Sequence, residues 1–227
     1  NNKFELTFQS KDISYNLWYK NIANSKEEYM SEKLYETIEI TDLKDMLNKT
    51  KELYGDKPAY KIKQKDENTQ PNYKVITHKE VRNMIDALGT ALIDIGLKDK
   101  RIAVIGENRY EWEIAYLSVV CGTGTVVPLD KALPENELEN VINRANATAV
   151  IYSAKKEDAI KKIENNVPTV KYFIKMDSDE HIMDKHMGFN YLIQEGKEIF
   201  DSGDTSYLDI EIDPEEFKML IFTSGTT

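Results

Sequence analysis

Between Arg101 and Lys175 short apolar runs alternate with amphipathic stretches, and this alternation constrains the fold more than any other feature of the chain. The apolar runs are "RIAVIG", "TVVPL", "TAVIYS" and "VKYFIK". Between them lie "NRYEWEIAYLSVVC", "PENELENVINRA" and "KKEDAIKKIE". A strand that is apolar at successive positions needs cover on both faces. The intervening segments carry apolar stripes at helical spacing: Trp112, Ala115, Tyr116 and Val119 in the first, Leu138, Val141, Ile142 and Ala145 in the second, which Pro134 opens. Strands joined through helices become parallel neighbours by crossover connections. The expected fold class is therefore α/β, a mainly parallel sheet flanked by helices. Ligands of such sheets sit beyond the carboxyl ends of the strands.

Flanking segments are placed by local signals. Residues 1–40 are polar and aromatic-rich, with Tyr15, Trp18, Tyr19, Tyr29 and Tyr35, and read as an extended lead-in with one short helix. Thr41 sits at an N-cap position, ahead of Leu43, Met46, Leu47 and Tyr54 at helical spacing, and Gly55 ends that helix. "PAYKIKQ" and "YKVIT", separated by the turn-rich "KDENTQPN", read as a hairpin. Thr77 and Glu80 form a capping box for a helix whose face is Val81, Met84, Ile85, Leu88, Leu92 and Ile95, with Gly96 as its stop. Residues 176–216 are less regular, with a helix from Phe189 to Phe200 and the acidic loop "DSGDTSYLDIEIDPEEF".

Composition excludes several function classes. Lys plus Arg is 30 and Asp plus Glu 40, a net charge of -10, which disfavours nucleic acid and an anionic membrane surface as partners. No apolar run approaches the length of a membrane span, and "NNKFELTFQS" lacks the form of a signal peptide. One cysteine, Cys121, allows no internal disulfide and fits a reducing, cytoplasmic setting.

Candidate chemistry is sparse. "CGTGTVV" holds Gly122 and Gly124, but Val127 stands where a dinucleotide fingerprint needs its third glycine, so these read as a helix cap and turn. "VIGENR" has the right place, between strand and helix, but only Gly106. No G-x-x-x-x-G-K-[ST] sequence occurs, which excludes an ordinary P-loop fold. His78, His181 and His186 have no metal-ligand spacing, and the last two fall in a polar stretch that reads as surface loop, so no metal ligand is assigned. In "ENRYEW", Asn108 reads as a helix cap whose bond Glu111 returns. The apolar run Met219–Phe222 leads into Thr223, Ser224, Gly225, Thr226 and Thr227. Backbone N–H groups in such a turn can converge on an anion, the hydroxyls add donors, and Gly225 permits close approach. From composition alone an ordinary polar turn is the commoner outcome.

The wider sequence resembles the adenylate-forming superfamily of acyl-CoA synthetases, peptide-synthetase adenylation domains and luciferases. "IFTSGTT" resembles the start of that family's phosphate-binding signature, which a Gly, a Pro and a Lys-Gly pair normally complete. The resemblance runs from "YKVITHKEVRNMIDALGTALIDIG" through "RIAVIGENRYEWEIAYLSVVCGTGTVVPLDKALPENELENVINRANATAVIYS" and covers most of residues 56–227. The N-R-x-E-W motif, Asn108 to Trp112, is similar to the long-chain fatty acyl-CoA synthetase branch. The resemblance implies an N-terminal lead-in with a helix over residues 1–55. Residues 56–227 would be the N-terminal subdomain of the adenylating domain, cut within its phosphate loop.

It implies a reaction in which a carboxylate, here a fatty acid, attacks the α-phosphorus of ATP, expels pyrophosphate, and passes as acyl-adenylate to coenzyme A. Thr223, Ser224, Gly225, Thr226 and Thr227 would grip the β- and γ-phosphates, with Mg²⁺ as counter-ion. No catalytic residue is assigned within the chain, because the loop lysine and the C-terminal domain with its catalytic lysine lie outside it. The chain therefore reads as an N-terminal fragment, inactive without the remainder of the same protein. The alternatives are adenylation of another carboxylic or amino acid for transfer to a carrier protein, and a non-catalytic binding module that keeps the fold.

Overall fold

A computed structural model describes residues 37–64, 72–183 and 185–223. The lead-in expected before residue 37 and most of the hairpin loop lie outside the described residues, as do Ser224, Gly225, Thr226 and Thr227. The chain divides into two units, Asn1–Glu39 and Ile40–Thr227; the description below concerns the second.

Helix α1 spans Leu43–Tyr54, and β1 (Pro58–Lys63) pairs antiparallel with β2 (Tyr73–Thr77) in the expected hairpin. The long helix α2 (His78–Asp94) begins at the expected capping box: the Glu80 amide donates to Thr77 Oγ1 at 3.2 Å and the Thr77 amide to Glu80 Oε2 at 2.7 Å. It ends at Gly96, with φ of 82°, where the Leu97 amide donates to the Leu92 carbonyl at 2.9 Å and the Gly96 amide to the Ile93 carbonyl at 2.9 Å. This paired closure satisfies carbonyls that a helix end leaves open.

The main sheet has the order β4-β3-β5-β6-β8-β7. Strands β3 (Lys100–Ile105), β4 (Gly124–Leu129), β5 (Ala149–Tyr152), β6 (Tyr172–Lys175) and β8 (His186–Gly188) run parallel, and β7 (His181–Met183) is antiparallel to β8. The α-helices that follow are α3 (Tyr110–Ser118), α4 (Glu135–Ala145), α5 (Glu157–Ile163) and α6 (Phe189–Asp201). Side chains alternate along each strand. On β3, Ile102 and Val104 join a core shared with α2, α3 and α6, while Ala103 and Ile105 join a second core with α4 and α5. Both faces of the sheet are thus buried, which is why its strands are apolar throughout.

Several local expectations are corrected. Asp42, one residue beyond Thr41, caps α1 by accepting from the Asp45 amide at 2.9 Å. The buried face of α1 is Lys44 and Leu47, while Leu43 and Tyr54 are exposed. Asn108 and Glu111 form no capping box: Arg109 is the N-cap residue of α3 and makes no side-chain cap. That helix stops at Ser118 and continues as a π-helical turn, Val119–Thr123. The stretch holding His181 and His186 is a pair of strands. His186 is half-buried, stacks on Phe173 with ring centroids 5.3 Å apart, and lies 3.1 Å from Glu164. The apolar run Met219–Phe222 is no buried strand. It meets the sheet in one parallel bridge, Met219 beside Val126, and leaves Met219 and Ile221 exposed. Its other neighbour position in the sheet has no partner strand among the described residues, so only Leu220 and Phe222 pack inward, against the second core.

One surface group has a testable titration. The Glu157 carboxylate contacts Lys161 at 2.8 Å and Lys175 at 2.6 Å, and these two bonds hold its pKa down at about 2, against an ordinary 4.5. A carboxyl depressed on folding stabilises the native state above its unfolded pKa, and that stability drains as pH falls toward the folded value. Urea unfolding between about pH 4.5 and 2 should therefore show a shallower acid decline in Glu157→Gln than in the parent. Parallel curves would remove the assignment.

Candidate functional site at the carboxyl edge of the sheet

A cleft of about 830 Å³ opens beyond the carboxyl ends of β3 and β4. Its floor is the β3–α3 turn, Gly106 to Tyr110, and the β4 exit, Leu129 to Lys131. Its walls are Met46, Tyr60, Trp112, Tyr116 and Leu117. Trp112 and Tyr116 lie one helical turn apart and stack, centroids 5.6 Å apart and planes 12° apart. The apolar spacing of α3 predicted both on the face turned to the core. Both do pack against the core, but they stay half-buried and also line the cleft, while Glu111, Ile114, Ala115, Leu117 and Ser118 are the buried positions. The helix is covered from more than one side, so a single stripe accounts for only part of its burial. A second hollow of about 620 Å³ lies next to the cleft, over the ends of β3, β5 and β6.

Arg109 stands between the two hollows. Its guanidinium makes a two-pronged pair with Glu111, Nε to Oε2 at 2.7 Å and Nη2 to Oε1 at 2.8 Å, and its Nη1 donates to Asp177 Oδ1 at 2.5 Å. The other oxygen of Asp177 accepts from the Ala154 amide at 2.6 Å. Arg109 thus ties the exit of β3 to that of β6, and Asp177 extends the tie to the exit of β5; the hydrogen bonds to Glu111 and Asp177 raise the Arg109 pKa against the opposing effect of burial. Its donors point at protein carboxylates, so Arg109 is a brace and not a ready anchor for a ligand anion. This pairing gives the N-R-x-E-W pattern a physical reason: the Arg and the Glu pair with each other, and the Trp joins the aromatic wall. Sequence reasoning missed Asp177, whose role depends on a partner 68 residues away.

The acid–base character of the cleft is muted. Burial first, and then Glu113, raises the Tyr60 phenol. Burial first, and then Glu111, pushes Tyr110 up to about 12. Both are neutral hydroxyls at neutral pH, suited to hydrogen bonding rather than proton transfer. The lone thiol, Cys121, is buried and raised to about 12 by desolvation, which makes it a poor nucleophile.

The expected phosphate-binding run approaches this edge from the side. The Val126 amide donates to the Lys218 carbonyl and the Leu220 amide to the Val126 carbonyl, both at 2.9 Å. Because this pairing is parallel, Ile221, Phe222 and Thr223 travel with β4 toward its carboxyl end. Tyr116 Oη lies 3.5 Å from Met219 Sδ on one side, and Arg144 sits over the Phe222 ring, 5.6 Å from its centroid, on the other. Thr223, the one expected phosphate contact among the described residues, follows directly and is exposed. Gly122 and Gly124, read as a helix cap and turn, lie where the π-helical turn ends, with Gly124 as its C-cap, and are packing positions as well: a Cβ on Gly122 would press on the Tyr207 ring, and one on Gly124 on the Lys100 backbone.

The profile of the AMP-binding enzyme family matches residues 47–227. The chain belongs to that family. Among its relatives, the long-chain-fatty-acid–CoA ligase 5 of Rattus norvegicus is 31% identical over 174 residues, which are 70% of this chain and 25% of that protein. This member of the family thus spans about a quarter of the length of such relatives. Solved structures share the fold. A long-chain-fatty-acid–CoA ligase from Archaeoglobus fulgidus superposes with a TM-score of 0.65 at 17% identity, covering 84% of this chain and 36% of that one. The adenylation domain of a carboxylate reductase from Mycobacterium chelonae gives 0.66 at 15% identity, covering 96% and 39%. Among the described residues no helix is long and apolar enough to cross a membrane.

Proposed function

We propose that a protein containing this chain is an ATP-dependent acyl-CoA synthetase acting on fatty acids. The carrying observation is the family match over residues 47–227 together with the course of Met219–Thr223, which runs parallel to β4 toward the edge where the cleft opens. The fatty acid assignment draws on the long-chain-fatty-acid–CoA ligase relatives and on the N-R-x-E-W run. In this reading residues 56–227 are the N-terminal subdomain of the adenylating domain. The substrate carboxylate attacks the α-phosphorus of ATP, pyrophosphate leaves, and the acyl group passes to the thiol of coenzyme A. Thr223, Ser224, Gly225, Thr226 and Thr227 would receive the β- and γ-phosphates through main-chain amides and hydroxyls. Their contribution is positioning and charge stabilisation, the main needs of transfer at phosphorus. Mg²⁺ would accompany the phosphates. Among the described residues no group of three or more His, Cys, Asp or Glu side chains converges.

A second reading, adenylation of another acid for transfer to a carrier protein, draws on the equal likeness in fold to the carboxylate reductase adenylation domain. ATP–pyrophosphate exchange by the protein that carries this chain, run across fatty, aryl and amino acids, separates the two. Exchange with fatty acids is expected; exchange confined to amino or aryl acids would replace the first reading with the second.

A further inference from the structure

Lys44 lies in the first turn of α1 and is only 8% exposed. Its ammonium group spends all three donors on main-chain carbonyls far along the chain: Tyr207 at 3.1 Å, Leu208 at 2.8 Å and Ile210 at 2.6 Å. Burial and the nearby Arg82 lower its pKa, against the opposing pull of Asp86, Cys121 and Asp42. Holding this charge inside the protein therefore costs stability, which an apolar side chain would avoid. What the ammonium does, and an apolar side chain cannot, is satisfy the Leu208 and Ile210 carbonyls and share the Tyr207 carbonyl with the Ile210 amide, in a segment that forms no helix or strand.

That segment has a second anchor. Tyr207 is fully buried and donates its hydroxyl to the Ser118 carbonyl at 3.0 Å. Its ring fits against α2 and the π-helical turn because positions 89 and 122 are glycine. Downstream, after residues 211–216, exposed except for the half-buried Ile212, the chain reaches the edge pairing with β4. The edge pairing is weak by itself. It consists of two main-chain bonds, and Phe217, Met219 and Ile221 are 59%, 40% and 57% exposed. Two strands with so little burial are marginal in water. Their closure is helped by a short free span, because loop-closure cost grows with length. Lys44 ends that span at Ile210; without it the span would open back to the Tyr207 anchor.

We propose that Lys44 is a tethered cation that gathers the Tyr207, Leu208 and Ile210 carbonyls and so positions the edge segment Lys218–Leu220 beside β4. Lys44 is then a positioning residue for whatever residues 223–227 hold. That consequence for phosphate binding rests on the function proposed above; the anchoring does not.

Amide hydrogen exchange on the 227-residue chain tests it without any measurement of activity. In Lys44→Ala the amides of Leu220 and Val126 should exchange about 1.5-fold faster, the factor expected when the free span lengthens from Ile210 back to Tyr207. Amides of β5 should keep their rates. Methylammonium should restore the slow exchange, because it carries the missing N–H donors, and tetramethylammonium at equal ionic strength should not. Lys44→Met fills the space that alanine leaves and is read in the same way. Unchanged Leu220 exchange, a uniform acceleration of all amides, or equal rescue by tetramethylammonium would each overturn the proposal. So would loss of the fold in both variants, since Lys44 would then sustain the whole unit and not one segment.

Discussion

Gly196→Ala is expected to destabilise the protein by about 2 kcal/mol, although alanine is the better helix former. Gly196 sits in the middle of α6, and a glycine there costs a helix about 1 kcal/mol relative to alanine. Propensity alone therefore predicts a more stable variant. Packing predicts the reverse. A Cβ at this position would fall inside contact distance of the Ala87 carbonyl oxygen and close to the Ala91 amide, both backbone atoms of α2. Backbone of a buried helix cannot rotate away as a side-chain tip can. The two helices would have to separate, and overpacking of this kind costs about 1–3 kcal/mol, more where main chain must move. A net loss of about 2 kcal/mol should lower the unfolding midpoint by about 4–8 °C in a chain of this size. Lys197→Ala, at the exposed neighbouring position, should change it little. A Gly196→Ala protein as stable as the parent would show that α2 and α6 do not approach this closely.

Arg109→Met should cost about 2–3 kcal/mol in urea unfolding. Methionine keeps most of the apolar stem and removes the charge. It leaves Glu111, whose side chain is 9% exposed, and Asp177, 31% exposed, facing one another's region without the shared cation. Hydrogen bonds to charged groups are worth about 1.5–3 kcal/mol, and stranding a largely buried carboxylate adds to the loss. Arg109→Lys should recover little, because a point charge cannot reproduce the two-pronged pair with Glu111. In a double-mutant cycle, Arg109→Met and Glu111→Gln should couple by at least about 1 kcal/mol; effects additive to within about 0.5 kcal/mol would refute the brace. Lys162 and Glu135 provide the contrast. Their side chains are 62% and 46% exposed, and disrupting that pair should change stability by less than about 1 kcal/mol. If the brace also shapes the cleft, the Trp112 and Tyr116 wall should loosen with it, since both hang from the helix that Arg109 opens.

The elements read most securely from the sequence are those whose cause is local. The Thr77–Glu80 box, the stop at Gly96 and the hairpin all depend on residues a few positions apart. The parallel sheet was legible for a related reason: continuous apolar strands between amphipathic helices allow few other arrangements. The misreadings share the opposite cause. Asn108 looks like a cap and Glu111 like its partner until Asp177 arrives from another strand exit. His186 looks like a loop residue until β6 supplies Phe173 to stack on it. Trp112 and Tyr116 look like core alone because periodicity identifies an apolar stripe but not all that faces it. Met219–Phe222 looks buried because a strand at the edge of a sheet and one at its centre can have the same composition.

The sequence by itself determined the α/β class, most element boundaries, and the family to which residues 47–227 belong. The class and the boundaries follow from short-range periodicity, capping and turn chemistry; the family follows from the resemblance of motifs along the chain. The tertiary structure alone decided that α3 turns its aromatic pair to a cleft, that Arg109 and Asp177 together brace three strand exits, and that Lys44 holds carbonyls 163 residues and more away. Each of these is a contact between segments distant in the chain. Its energy depends on burial and on partners that no local pattern specifies.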